Sequence, residues 1–251
     1  MIIRKTEEQI ESMAAAGDLH ARCLGMLRSK IAPGVTTAEL DEAAERFIVA
    51  AGGVPTFKGY RGFPASICTS PNSLVVHGIP GPYELEEGDV LSVDVGVTLD
   101  GWIADGAFTV AVGEIAPETE RLLEVTHQSL REAADRVVPG NRIGDISNQV
   151  QTTVEAAGFS VIKSLVGHGI GRSMHEEPQI PNYGPAGKGP EIESGMVLAI
   201  EPMVNAGGPG VYMADDGWSV YSEDGSMAAH FEYTVAATED GPRILTPWDE
   251  Q

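Results

Sequence analysis

Between residues 91 and 112 the chain alternates apolar and polar positions with a period of two. Leu91, Val93, Val95, Val97 and Leu99 fall on one side, and Ser92, Asp94, Gly96 and Thr98 on the other. On the return, Trp102, Ala104, Phe108, Val110 and Val112 are apolar, while Asp105, Ala107 and Thr109 lie opposite. That period predicts two strands of a hairpin. A turn at Leu99-Asp100 sets Asp94 directly across from Asp105, and a turn at Asp100-Gly101 sets them diagonally. Either puts both carboxylates on one face, about 4.5–8 Å apart between Cβ atoms.

Elsewhere the period is helical. Residues 6–30 and 117–138 predict helices, the second with Pro117 in its first turn. Residues 31–53 ("IAPGVTTAELDEAAERFIVAAGG") and 137–159 ("VVPGNRIGDISNQVQTTVEAAGF") carry one pattern twice. Pro33-Gly34 matches Pro139-Gly140 and Ala50-Ala51-Gly52 matches Ala156-Ala157-Gly158, at an offset of 106. Leu40, Ala44 and Ile48 match Ile146, Val150 and Val154 at the same offset. Each copy predicts an amphipathic helix closed by a glycine, and Thr36 with Glu39 offers a capping box. Further on, "EEGDVLSVDV" (86–95) matches "ESGMVLAIEP" (193–202) at an offset of 107, aligning Asp94 with Glu201. Helices followed by strands, written twice, predict an α+β fold with a pseudo-twofold axis. We read residues 1–251 as one domain of two half-repeats, about 6–116 and 117–251.

Composition narrows the function classes. The 251 residues are 42% hydrophobic, enough for a sizeable core. Thirty-seven acidic residues against sixteen basic ones give a net charge of -21, which argues against a nucleic-acid-binding surface. The ordinary reading of that acidity is a self-repelling, soluble surface. No apolar run nears the roughly 20 residues of a membrane span, and the first residues lack the apolar core of a signal peptide. Cys23 and Cys68 lie far apart in no CxxC spacing, so a cytoplasmic protein without a disulfide framework is expected.

Candidate chemistry gathers on four carboxylates. Asp94 and Asp105 share a strand face, Glu201 sits in an apolar strand before Pro202, and Glu232 lies between Phe231 and Tyr233. Carboxylates are disfavoured in strand interiors and costly when buried unpaired. Solvated carboxylates on an exposed sheet face are the ordinary alternative. "SLVGHGIGRSMHEEP" adds the glycine-flanked His168 and His175, and "LVVHGIP" adds His77; each alone reads as a core histidine. Four carboxylates with an imidazole form an oxygen-rich set suited to two divalent ions bridged by shared carboxylates. The glycine run has no GxxxxGK and no dinucleotide-binding context. Neither GxSxG nor HExxH occurs.

The motifs "HGIP", "VDVGVTLDGWIAD", "GHGIGRSMHEEP", "IEPMV" and "FEYT" resemble, in order and spacing, those of methionine aminopeptidases of type I. The resemblance covers essentially the whole chain and implies the pseudo-symmetric pita-bread fold. It implies metal ligands at Asp94, Asp105, His168, Glu201 and Glu232, with Asp105 and Glu232 bridging. Asp94 would complete one metal's set, and His168 with Glu201 the other's. It implies that His77 and His175 contact substrate, and that Tyr60, Phe63, Cys68, Met174 and Trp218 line a methionine pocket. The cofactor implied is a pair of divalent ions: cobalt, manganese, iron or zinc. The substrates implied are nascent polypeptide N-termini with a small second residue, met near the ribosome by a monomer with no membrane or direct nucleic-acid contact. Water activated between the metals would attack the first peptide bond, Glu201 would receive the proton, and His175 would stabilise the oxyanion.

The chain departs from the family at Tyr233, where histidine is usual after the glutamate. It departs again at Gly106-Ala107, which places a hydrogen bond behind Asp105 in doubt, and at Phe63 and Met174 in the pocket. Two other readings remain at this point. One is an X-Pro peptidase of the same fold, whose families carry a large N-terminal domain for which a half-repeat beginning near residue 6 leaves no room. The other is a binding protein that has lost catalysis, which retention of all five ligand positions disfavours.

Overall fold

Helix α1 (Glu7–Arg28) opens at Thr6, whose hydroxyl accepts from the Gln9 backbone N–H while the Gln9 side chain reaches back. Helix α2 (Thr37–Ala50) opens on the expected Thr36–Glu39 box. The computed structural model describes residues 1–250. After α2 the chain passes through β1 (Val54–Pro55), β2 (Cys68–Pro71) and β3 (Leu74–Val76) into the long hairpin of β4 (Val90–Leu99) and β5 (Trp102–Ala111). Helices α3 (Pro117–Ala134) and α4 (Ile143–Ala156) follow, then β6 (Ser160–Val161), β7 (Val166–Gly169), β8 (Glu176–Pro181) and β9 (Val197–Ile200). The last strands are β10 (Met203–Asn205), β11 (Val211–Met213), β12 (Val220–Ser222), β13 (Ala228–His230), β14 (Tyr233–Thr238) and β15 (Gly241–Ile244). The fold is α+β. Among the described residues no helix is long and apolar enough to cross a membrane.

The two copies of the repeated pattern adopt matching conformations. Gly52 and Gly158 leave α2 and α4 with φ of +82° and +87°. That left-handed backbone costs glycine little and strains other residues.

The paired strands run antiparallel. One sheet holds β1, β2, β4 and β5; another has the order β15-β14-β9-β7-β8. They meet where Glu232 pairs with Ala107. There the Glu232 N–H donates to the Ala107 carbonyl at 2.9 Å. Thr234 Oγ1 ties the next step, accepting from the Asp105 N–H at 3.1 Å and donating to its carbonyl at 2.8 Å.

The hairpin adopts the second of the two expected registers. Gly96 pairs with Asp105 and Asp94 with Ala107, so the two aspartates are diagonal. The turn residues Asp100 and Gly101 both have positive φ, +50° and +76°, as a two-residue turn matched to strand twist requires. Val93, Val95, Val97 and Phe108 pack with Leu19, Cys23 and Leu24 of α1 in the main core. Each such buried side chain contributes about 1.5–3 kcal/mol. The opposite face, with Ser92, Asp94 and Asp105, is buried as well. This removes the solvated-face alternative: both carboxylates lie in the interior.

Candidate metal centre

Asp94 and Asp105 project from the middle of an unbroken hairpin, 9% and 3% exposed. The other two carboxylates sit at breaks rather than inside strands. Glu201 follows the end of β9 and precedes Pro202, with its carbonyl held by Asn182 Nδ2 at 2.9 Å. Glu232 is the second of the two residues, Phe231 and Glu232, that separate the end of β13 at His230 from the start of β14 at Tyr233. Its carbonyl accepts from Trp248 Nε1 at 2.9 Å. A strand end frees the carboxylate from pleat alternation and lets neighbouring groups fix its backbone.

All twelve residues expected at the site line one cavity of about 300 Å³. The lining includes the donors Asp94, Asp105, His168, Glu201 and Glu232, together with His77 and His175. Phe57, Phe63, Cys68 and Met174 pack in one apolar cluster with Tyr60 and Trp218, and these and Arg61 line the same cavity. Phe63 meets Trp218 edge to face at 5.1 Å. Trp218 is placed by a turn in which Asp216 accepts from the Trp218 and Ser219 N–H groups, both at 2.8 Å.

The histidines are oriented by specific partners. His168 Nδ1 lies 2.9 Å from the Gly169 carbonyl and donates to it. Its Nε2 is then a free acceptor, 3.6 Å from Glu201 Oε1 and 3.9 Å from Asp105 Oδ2. His175 Nδ1 lies 2.8 Å from the Tyr60 hydroxyl, with the two rings stacked at 5.6 Å. Burial lowers the pKa of His168 to about 4 and also lowers those of His77 and His175.

The carboxylates repel one another in a largely buried site, with Glu201 partly open to the cavity. Burial pushes Asp94 up to about 7. Burial raises Asp105, Glu201 and Glu232 well above the ordinary range, and their mutual charges push in the same direction. Asp94 Oδ1 and Glu232 Oε1 are buried with no hydrogen-bond partner. Buried oxygens without donors need a proton or a cation. Oxygens and a neutral imidazole, crowded and unpartnered, suit a divalent ion, whose charge reverses the repulsion. Asp105, His168 and Glu232 bring one donor atom each within 4.8 Å of one another, and so do Glu201, His230 and Glu232. Glu232 serves both groups.

His230 was absent from the sequence-based set. It stands two residues before Glu232, the spacing that shares a strand face, and that signal was available. Of the family departures, Tyr233 points away from the cavity. Its hydroxyl donates to Asp249 Oδ2 at 2.5 Å and lies 3.1 Å from His127 Nε2. Gly106 lies on the helix-facing side of β5, and a Cβ there would sit 2.7 Å from His20 Cε1. The His20 ring fills that space and its Nε2 lies 3.1 Å from the Gly106 carbonyl.

The scaffold gathers three buried carboxylates, the half-buried Glu201 and an imidazole into a set that could hold metal. Residues 11–239 match the model of metallopeptidase family M24, and the chain belongs to that family. It is 50% identical to a methionine aminopeptidase of Clostridium perfringens, over 98% of this chain and 99% of the relative. The crystal structure of methionine aminopeptidase from Rickettsia prowazekii superposes with a TM-score of 0.97 at 40% identity, covering 98% of this chain and 100% of that one. A prolidase from Pyrococcus furiosus shares the fold, with a TM-score of 0.78 at 21% identity, over 97% of this chain and 65% of that one.

Proposed function

We propose that this chain hydrolyses the first peptide bond of polypeptides beginning with methionine, using two divalent ions. The observation that carries this reading is one cavity lined both by a cluster of metal-type donors and by an apolar, aromatic cluster. The names of its full-length relatives support the methionine preference. Methionine's flexible thioether suits such a pocket.

Asp94, Asp105 and Glu232 would hold one ion, and Asp105, Glu232, His168 and Glu201 the other. When bound, such ions polarise a carbonyl and lower the pKa of water toward about 7. The residues supply the rest. Glu201 accepts the proton released by the attacking water and passes it to the leaving nitrogen. Tyr60 donates to His175 Nδ1, so Nε2 keeps its proton and donates to the oxygen of the scissile carbonyl. One donor of that kind contributes about 3 kcal/mol. His77 would also contact the peptide, and a nearby carboxylate such as Asp94 would attract the free α-amine. Phe63, Cys68, Met174 and Trp218 exclude water from the methionine side chain. The substrates are nascent chains with a small second residue, met in the cytoplasm near the ribosome by a monomer. Cobalt, manganese, iron and zinc all suit the donors.

A peptide series tests this. Met-Ala-Ser should be cleaved at least 100-fold more efficiently than Leu-Ala-Ser or Ala-Pro-Ser, and chelation should abolish turnover. Preference for the X-Pro peptide would replace this reading with the prolidase one. Metal binding without cleavage of any peptide would point to a binding protein.

A further inference from the structure

The ligand set implied by family resemblance contains one imidazole. The structure brings a second to the same cluster. His230 ends β13 and is 2% exposed, yet its Nε2 has no hydrogen-bond partner. That nitrogen lies 3.7 Å from Glu201 Oε2 and 3.9 Å from Glu232 Oε2. Both separations are too long for hydrogen bonds. They suit atoms sharing one cation at about 2.0–2.2 Å from each.

Glu201 lies between the two rings. Its Oε1 is 3.6 Å from His168 and its Oε2 is 3.7 Å from His230. The backbone beneath His230 is clamped, because its N–H donates to Thr109 Oγ1 at 2.9 Å and the same hydroxyl donates to its carbonyl at 2.8 Å. Pairing with Met203 fixes it from the other side. The strand therefore fixes the direction in which the His230 side chain leaves the backbone, toward Glu201 and Glu232. A core histidine that serves packing alone normally satisfies its nitrogens; this one does not.

We propose that His230 is a metal ligand, completing a Glu201–His230–Glu232 group beside the Asp105–His168–Glu232 group. The inference rests on the metal-dependent reading above and extends it, since the centre then holds two nitrogen donors. A second imidazole shifts selectivity from manganese toward cobalt and zinc.

Cobalt(II) is the probe. The protein freed of metal is titrated with cobalt by calorimetry, and the loaded protein is examined by proton NMR for hyperfine-shifted imidazole signals. The wild type should show shifted signals from two histidines. His230→Gln should remove one set and weaken one binding step at least tenfold, while His168→Gln removes the other set. Circular dichroism checks that each variant is folded, and the wild-type signal count stands even if a variant is not. Shifted signals from a single histidine in the wild type, with His230→Gln titrating unchanged, would overturn the assignment and leave the aminopeptidase reading intact. A wild type that binds no cobalt would overturn both.

Discussion

The hairpin β4–β5 and the strands of the second half deliver their carboxylates in opposite ways. Asp94 and Asp105 sit within continuous pleats, locked by ten consecutive residue pairs from Val90–Ala111 to Leu99–Trp102. Glu201 and Glu232 sit at strand ends, held by a proline, an asparagine and the indole of Trp248. The hairpin contributes oxygen donors alone. The second half contributes oxygen and nitrogen together, through His168 and His230. A rigid pleat suits ligands that need only point at the cavity, whereas a strand end can set both direction and depth. The difference assigns tasks. The hairpin supplies charge alone, and the second half adds the imidazoles that favour transition metals over magnesium or calcium.

The largest effect should come from the residue on which both halves depend. Glu232→Ala removes a donor from both clusters, so metal content should fall and kcat/KM should drop at least 1000-fold, measured with elemental analysis and a methionyl peptide. If metal and turnover survived, neither half would need the shared carboxylate. His175→Ala should lower kcat by roughly 100- to 1000-fold at unchanged metal content, the size of one lost oxyanion donor. Near-normal turnover would defeat its role.

Asp94→Asn separates charge from shape in the hairpin. Asp94 is raised to about 7 in the folded protein, against about 3.9 unfolded. A carboxyl raised in this way favours the fold while protonated, fully so below about pH 4, and that contribution fades as pH climbs through 7. The buried His20, His168 and His230, lowered to about 4, 4 and 3, act in the opposite sense but cancel between variant and parent. For metal-free proteins the Tm of Asp94→Asn minus that of the parent should therefore grow by a few degrees from pH 4.5 to 7.5. Added divalent ion should reverse the sign. A pH-independent difference would mean that Asp94 is ordinarily ionised.

Smaller effects probe the supports. Gly106→Ala forces a methyl against His20 and should cost about 1–3 kcal/mol in urea unfolding. His20→Ala in the same chain should recover much of that cost; an additive pair would show that the ring does not fill the space behind Asp105. Tyr60→Phe should lower kcat about tenfold, the worth of one hydrogen bond, with KM little changed. A shift in KM alone would make Tyr60 a pocket residue only.

Much of this architecture could be read from periodicity. Alternation over residues 91–112 predicted the hairpin and the shared face of its aspartates, and the repeated Pro-Gly and Ala-Ala-Gly signals predicted α2 and α4. These are local rules, set by a side chain's direction from its own backbone. The same reading placed Glu201 and Glu232 inside strands, where the structure puts them at strand ends. The breaks arise from pairing partners distant in sequence, Ala107 for Glu232 and Asn182 for Glu201.

Residue order alone decided which faces are apolar, where helices start and stop, and that carboxylates would be forced indoors. It left two hairpin registers open, and the positive φ of Asp100 and Gly101 chose between them. It did not reveal that His20 fills the space above Gly106, that Tyr233 turns toward Asp249, or that His230 reaches Glu201. Those are contacts between residues 16 to 86 positions apart in the chain. Local propensity has no term for them. They exist where tertiary packing buries distant segments together, and burial makes an unpaired oxygen or nitrogen seek a partner.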